Sequence, residues 1–296
     1  MLEPKLNKQI HKIGIVTKRD NAHYQKLIVD LAKYLKDKNK DLYFDNNSFK
    51  HIKGAKGGYS KEELLNMVDL VVVLGGDGTL LKTARNTQRK KTLVLGVNLG
   101  TVGFLSEAMP ANLYETLDKI FAGHYNIDKR SLLRVTVYRN TKKIETFLAL
   151  NDAVINQGAF ARLIRLELAI NSRKLVSFSA DGVIVATPTG STAHSLSAGG
   201  PIVHPSIQGI TITPICPRSL SMRPIIVPDS RQLSLIVETH RREEAATIGL
   251  TIDGQEMIQL EYGDKITCRR SRRYLYLVRT KNRYYKQLRD KLSWGE

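Results

Sequence analysis

The stretch Val71-Val72-Val73-Leu74-Gly75-Gly76-Asp77-Gly78-Thr79-Leu80-Leu81, VVVLGGDGTLL, decides the fold of the first half of this chain. The apolar run before the glycines reads as a strand buried on both faces. Three glycines within four residues then let the backbone turn sharply, and Leu80, Leu81 and Ala84 continue as one face of a helix. A strand, a glycine turn and a helix N-terminus make a place for phosphate, because free N–H groups and the positive end of the helix dipole point outward there. Asp77 carries the same sign of charge as phosphate. Either it only forms the turn, or the site needs a base or a metal ligand beside a phosphate. The phosphate-binding loop ending in Gly-Lys-Ser/Thr is not present. Gly75, Gly76, Gly78 and Thr79 are the candidate phosphate-binding positions, and Asp77 is the candidate catalytic residue.

Outward from this stretch the pattern alternates. Residues 13–16 form a short apolar run, followed by Tyr24, Leu27, Ile28, Leu31 and Leu35 at helical spacing. Residues 41–44 and 92–97 are further strands, Ser60-Lys61-Glu62-Glu63 is a capping box that starts a helix, and a helix face follows Pro110. Strands alternating with helices imply a parallel sheet with ligands at the carboxyl ends of its strands. From about Asn126 the period becomes two, with a turn at 139–142 and strands near 165–170, 182–186, 209–213, 232–237 and 246–252. Many short strands with Gly, Pro and Asn between them predict an all-β second domain, a sandwich. The last helix, 282–292, has no place in a sandwich and is expected to pack on the first domain. The expected organisation is a Rossmann-like α/β domain at 1–125 plus 275–296 and a β-sandwich domain at 126–274.

The chain has 296 residues and a formal net charge of +18, with ten basic residues against one acid between Arg269 and Lys291. Such a patch attracts polyanions, nucleotides included. Nucleic acid is disfavoured as a partner because no recognisable reader module accompanies the charge. No apolar run reaches the roughly 20 residues of a membrane span, and the N-terminus has no signal-peptide pattern. Cys216 and Cys268 stand far apart in no metal-ligand spacing, which argues against a disulfide scaffold or zinc site and for a cytoplasmic protein.

Three more segments carry polar chemistry. In residues 181–201, DGVIVATPTGSTAHSLSAGGP, a strand ends at a Pro-Thr-Gly turn and a hydroxyl-rich helix begins, which Ser191 or Thr192 could cap. Its small residues let a backbone or a flat ligand come close, and its hydroxyls can bond ribose or phosphate oxygens. His194 within it is either a wall or a proton carrier. Residues 96–107, GVNLGTVGFLSE, are again glycine-rich at a strand end. Asn151-Asp152 sets an amide beside a carboxylate, suited to an adenine edge or a ribose diol and equally suited to an ordinary turn.

Together GGDGT at 75–79, GVNLGTVGFLSE at 96–107, NDAVIN at 151–156, the run from 181 to 202 and IDGQ at 252–255 resemble the NAD kinase family, in order and spacing, over nearly the whole chain. The ending YYKQLRDKLSWG is similar to the bacterial branch. GGDGT by itself also occurs in lipid kinases and 6-phosphofructokinases, so a lipid or sugar kinase is the rival reading. The resemblance implies transfer of the ATP γ-phosphoryl group, with a divalent metal ion such as Mg²⁺, to the 2′-hydroxyl of the adenosine ribose of NAD, giving NADP. It implies a site between an α/β and a β-sandwich domain, with Asp77 as proton acceptor and Gly78 beside the substrate. It further implies that Asn151 and Asp152 hold ribose or adenine and that Asp181 faces the nicotinamide end. Thr192, Ala193, His194, Ser195, Leu196 and Ser197 line the NAD cleft, with Arg162, Ser179 and Gln255 as further contributors. Family members are commonly homodimers or homotetramers, with residues of a neighbouring chain in the site. This sequence has His194 where Tyr is usual, Asp152 where Glu is usual and Ser179 where some bacterial members place Arg. No metal-ligand motif is visible.

Overall fold

The computed structural model describes residues 2–3, 9–18, 24–52, 58–100, 103–157, 163–238, 248–281 and 283–294. By its internal packing the chain divides into two units, Met1–Lys129 with Tyr274–Glu296, and Arg130–Arg273. In the first, the strands Lys12–Thr17, Asp41–Phe44, Leu70–Leu74 and Leu93–Val97 are all parallel. The end of the strand Lys265–Arg279 lies parallel to Leu93–Val97, pairing Tyr276 with Leu93 and Leu277 with Val94. In chain order the strands of this sheet stand 2-1-3-4-5, a doubly wound arrangement whose direction reverses beside the first strand. The strand Leu70–Leu74 is buried at every position, as a strand covered on both faces must be. It ends next to the first strand, so the Gly75–Gly76 turn leaves the sheet at the switch point, where such folds bind ligands.

The helices behave as their sequences dictate. Gln25–Asp37 buries Ile28, Leu31, Ala32 and Leu35 on one stripe. Lys61–Met67 starts with the expected capping box: the Ser60 hydroxyl accepts from the Glu63 amide, and the Glu63 carboxylate accepts from the Ser60 amide. Tyr284–Leu292 belongs to the first unit and buries Leu288.

The second unit is a two-sheet sandwich. Among the described residues one sheet is six-stranded and antiparallel, in the order Ile225–Pro228, Gly209–Ile215, Gly182–Ala186, Asp152–Gln157, Ile248–Ile252 and Glu256–Gln259. The other sheet brings Arg173–Ala180, Ile164–Ile170, Leu233–Val237 and the start of Lys265–Arg279 side by side. The hairpin of Asn126–Arg139 and Lys142–Ala149 turns through Asn140 and Thr141, both at positive φ, as a two-residue turn between twisted strands demands. Inward-facing Val135, Ile155, Leu166, Val183, Ile212, Leu235 and Leu250 from both sheets share one core.

Candidate active site

Asp77 is the first residue of the helix Asp77–Arg85, whose N-cap is Gly76 in extended conformation. Gly76 and Gly78 are exposed, and Gly75 and Thr79 are buried. One carboxylate oxygen of Asp77, Oδ2, accepts the Phe104 amide at 3.0 Å, while Oδ1 is buried without a hydrogen-bond partner. Burial raises the Asp77 carboxyl above the ordinary aspartate range; the amides of Phe104 and Leu105 and the charges of Lys291 and Arg279 pull the other way. A buried carboxylate oxygen with no partner is costly.

The 96–107 motif supplies the wall. It folds back over its own strand end, with Glu107 and Ala108 donating to the Gly96 carbonyl and Asn98 donating to Ala108. A Cβ on Gly103 would stand 2.1 Å from Asp77 Oδ1, so only glycine lets this backbone pass the carboxylate. Gly103→Ala is therefore expected to displace Asp77 and lower kcat by about 100-fold, while thermal melting followed by circular dichroism shifts by only a few degrees. Arg279, which the sequence reading did not select, holds the same loop. Its guanidinium donates to the carbonyls of Leu105 and Ser106, each at 3.1 Å, to that of Phe104 at 3.3 Å, and to Asp128 at 3.1 Å. Glu107, 3.6 Å from Arg279, also accepts the amide and hydroxyl of Thr280.

A second cluster forms in the other unit. Asp152 opens the strand Asp152–Gln157, paired with Ala186 on one side, and Ala153 pairs with Ile252 on the other. The turns at 151–152, 187–192 and 253–255 therefore gather at one end of the sheet. Asp253, at φ +51°, accepts the amides of Leu150 at 3.1 Å, Asn151 at 2.8 Å and Asp152 at 3.2 Å, and donates its own amide to the Asp152 carbonyl. It fixes the Asn151-Asp152 turn. The sequence showed it within IDGQ, but nothing in one sequence reveals three amides aimed at one carboxylate. Asp253→Asn removes one of the two acceptor oxygens and is expected to destabilise by about 1–3 kcal/mol, read as a lower denaturant midpoint.

The Asp152 carboxylate is fully buried, and both its oxygens lie 3.3 Å from His194 Nδ1. Both Asp152 oxygens thus face a protein partner. The Asn151 carbonyl accepts the Thr187 amide at 2.8 Å, tying the hydroxyl-rich run to this turn. That run is not one capped helix. It is a 3₁₀ turn, Thr189–Thr192, followed by the single turn His194–Ser197, and neither Ser191 nor Thr192 caps it. Ser191 bonds the Pro188 carbonyl at 2.7 Å and accepts the Val203 amide at 3.0 Å. Thr192 bonds back to Thr189 at 3.3 Å. Hydroxyls this close to free backbone carbonyls bond locally and compete with helix. Ser195 is likewise buried, with its hydroxyl 2.9 Å from that of Thr213, and does not present it outward. Ala193 and Leu196 are half-buried, Ser197 is exposed, and Gln255 lies in the turn after Ile248–Ile252.

Asp181 and Ser179 are not in this cluster. Asp181 precedes Gly182–Ala186, and the Thr187 turn follows it, so a five-residue strand, about 16 Å at 3.3 Å per residue, separates them. Ser179 lies further upstream, in Arg173–Ala180, on the other sheet. Arg162 lies outside the described residues, as do Thr101, Val102 and the first two residues of the expected strand 246–252. Among the described residues no three His, Cys, Asp or Glu side chains converge as a metal site, and no helix is long and apolar enough to cross a membrane.

Comparison with known proteins decides the family. The ATP-NAD kinase N-terminal domain matches residues 13–125, and the ATP-NAD kinase C-terminal domain matches residues 150–280. The chain belongs to the NAD kinase family. It is 40% identical to the NAD kinase of Geobacter sulfurreducens over 96% of this chain and 99% of that one. It is 37% identical to that of Koribacter versatilis, over 96% and 98%. The crystal structure of yeast NADH kinase complexed with NADH superposes with a TM-score of 0.88 at 27% identity, over 98% of this chain and 89% of that one. An NAD kinase from Archaeoglobus fulgidus in complex with ATP gives 0.73 at 26% identity, over 95% and 98%. NAD kinases are phosphotransferases with an alcohol acceptor that convert NAD to NADP with ATP, so both nucleotides are substrates. A full-length match of this kind removes the lipid- or sugar-kinase reading that GGDGT alone left open.

Proposed function

We propose that this NAD kinase family member phosphorylates the 2′-hydroxyl of the adenosine ribose of NAD against Asp77. The buried, unpartnered Oδ1 carries the reading. With Oδ2 held by the Phe104 amide, Oδ1 is the atom left to accept the hydroxyl's hydrogen bond, and it takes the proton as the O–P bond forms. Phosphoryl transfer runs through a loose transition state, so most of the rate comes from holding the hydroxyl in line and spreading charge over fixed donors. The exposed Gly76 and Gly78, at the positive end of the helix Asp77–Arg85, suit the ATP phosphates. A Mg²⁺ ion carried in on a triphosphate needs only one or two protein carboxylates; when bound, the ion would neutralise charge on the phosphoryl oxygens.

Asn151, Thr192, Ala193, His194, Leu196, Ser197 and Gln255 are assigned to NAD, and Ser195 to the framework beneath them. Asp181, at the other end of the strand Gly182–Ala186, is assigned to the nicotinamide end of the dinucleotide with Ser179 nearby, and the family resemblance supports a homodimer or homotetramer. Free Cys216 and Cys268 support a cytoplasmic setting. The test is direct: incubation with ATP, Mg²⁺ and NAD is expected to yield NADP. No NADP, together with phosphate incorporation into a sugar or lipid, overturns the reading.

A further inference from the structure

The pairing of His194 with Asp152 is a built device. A fully buried carboxylate needs a partner, and here both of its oxygens face one ring nitrogen, Nδ1 of His194 at 3.3 Å. That contact fixes the proton on Nδ1 and leaves Nε2 as the free edge of the ring. The side chain is 58% exposed. Gly254, at φ +64°, lies beside the ring: a Cβ there would stand 3.2 Å from His194 Cε1 and 3.9 Å from Nε2, so glycine keeps that edge clear. Asp253, which holds the turn carrying Asp152, adds a second negative charge acting on the ring. The imidazole, on the hydroxyl-rich run, thus pairs with the buried carboxylate that opens the strand Asp152–Gln157 and feels the charge of Asp253 in the turn after Ile248–Ile252.

We propose that His194 is a cationic hydrogen-bond donor to an oxygen of the bound dinucleotide, and that Asp152 is a positioning residue acting through it. The inference rests on the assignment of residues 192–197 to NAD and adds to it the charge and the atom. A neutral imidazole whose Nδ1–H is given to Asp152 offers only a lone pair at Nε2, which repels phosphate and ether oxygens; the imidazolium offers N–H and a charge, and such bonds are roughly twice as strong as neutral ones. The hydrogen bond from Asp152 raises the His194 pKa above the ordinary histidine value, burial opposes it, and the charges of Asp152 and Asp253 assist. The charged form therefore persists above the ordinary histidine value and is lost as pH climbs through the raised one, so NAD affinity is highest on the acid side and falls as pH rises.

The experiment is calorimetric titration of the full-length protein with NAD alone, at pH 6.5 and 8.5 and in two buffers of different ionisation enthalpy, for wild type, His194→Gln and Asp152→Asn. Wild type is expected to weaken about fivefold across that range and to take up a fraction of a proton on binding near pH 8. His194→Gln, which keeps a neutral N–H near the Nε2 position, is expected to bind with no pH dependence and no proton uptake. Asp152→Asn is expected to move the loss of affinity to lower pH. Superimposable pH profiles for wild type and His194→Gln overturn the inference and leave the kinase reading intact. Absence of NAD binding at every pH, with all three proteins folded by circular dichroism, overturns the site assignment and this inference with it.

Discussion

Replacing Asp77 with Asn is expected to lower kcat by about two to four orders of magnitude while NAD still binds. Asn is the same shape and keeps an oxygen for the Phe104 amide, so the loop carrying Gly103 and Phe104 stays in place. What it removes is the buried acceptor, because the second oxygen becomes an NH₂ group that cannot take a proton. The measurement is NADP formation at saturating ATP and NAD, beside NAD binding by calorimetry. Near-normal kcat with intact binding sinks the base assignment and leaves Asp77 a turn former. Loss of both kcat and binding places Asp77 in substrate positioning.

Arg279→Met is expected to cost about 3–5 kcal/mol in stability and to depress kcat with it. The methionine fills much of the stem's volume but leaves three carbonyls, of Phe104, Leu105 and Ser106, without their donor, and strips Asp128 and Glu107 of the buried charge between them. Those carbonyls belong to the loop whose amide holds Asp77, so the loss propagates to the Asp77 carboxylate. Arg279→Lys restores the charge but not the planar fork and is expected to recover stability only in part. Chemical denaturation gives the free energies. A loss below about 1 kcal/mol for Arg279→Met, the range of an exposed ion pair, shows that the network is not holding the loop.

Much of this architecture is legible in one dimension because its causes are local. Val71 to Leu74 followed by glycines can only be a buried strand entering a turn, and Ser60 with Glu63 announces a helix start through bonds spanning three residues. The turn at Asn140-Thr141 is equally local. Where local signals compete, the sequence misleads: Ser191 and Thr192 read as helix caps, yet both bond back to the adjacent backbone, and the Ser195 hydroxyl pairs with that of Thr213. A hydroxyl has several partners within reach of its own turn, and composition does not rank them.

The sequence by itself determined the family, the alternation of strand and helix in the first unit, the glycine turn at the end of a buried strand and the presence of a carboxylate in it. These follow from periodicity and from residues a few positions apart, whose physics is settled by backbone geometry. The strands Asp152–Gln157, Arg173–Ala180, Ile225–Pro228 and Glu256–Gln259 escaped the sequence reading. Only the tertiary structure decided which groups meet. Arg279 reaches a loop more than 170 residues upstream of it, Asp253 gathers amides about 100 residues upstream, and the Asp152 carboxylate turns inward to His194. Those pairings depend on strand register and burial. They are fixed by desolvation, which makes every buried charge find a partner, and no single stretch of chain records which partner that is.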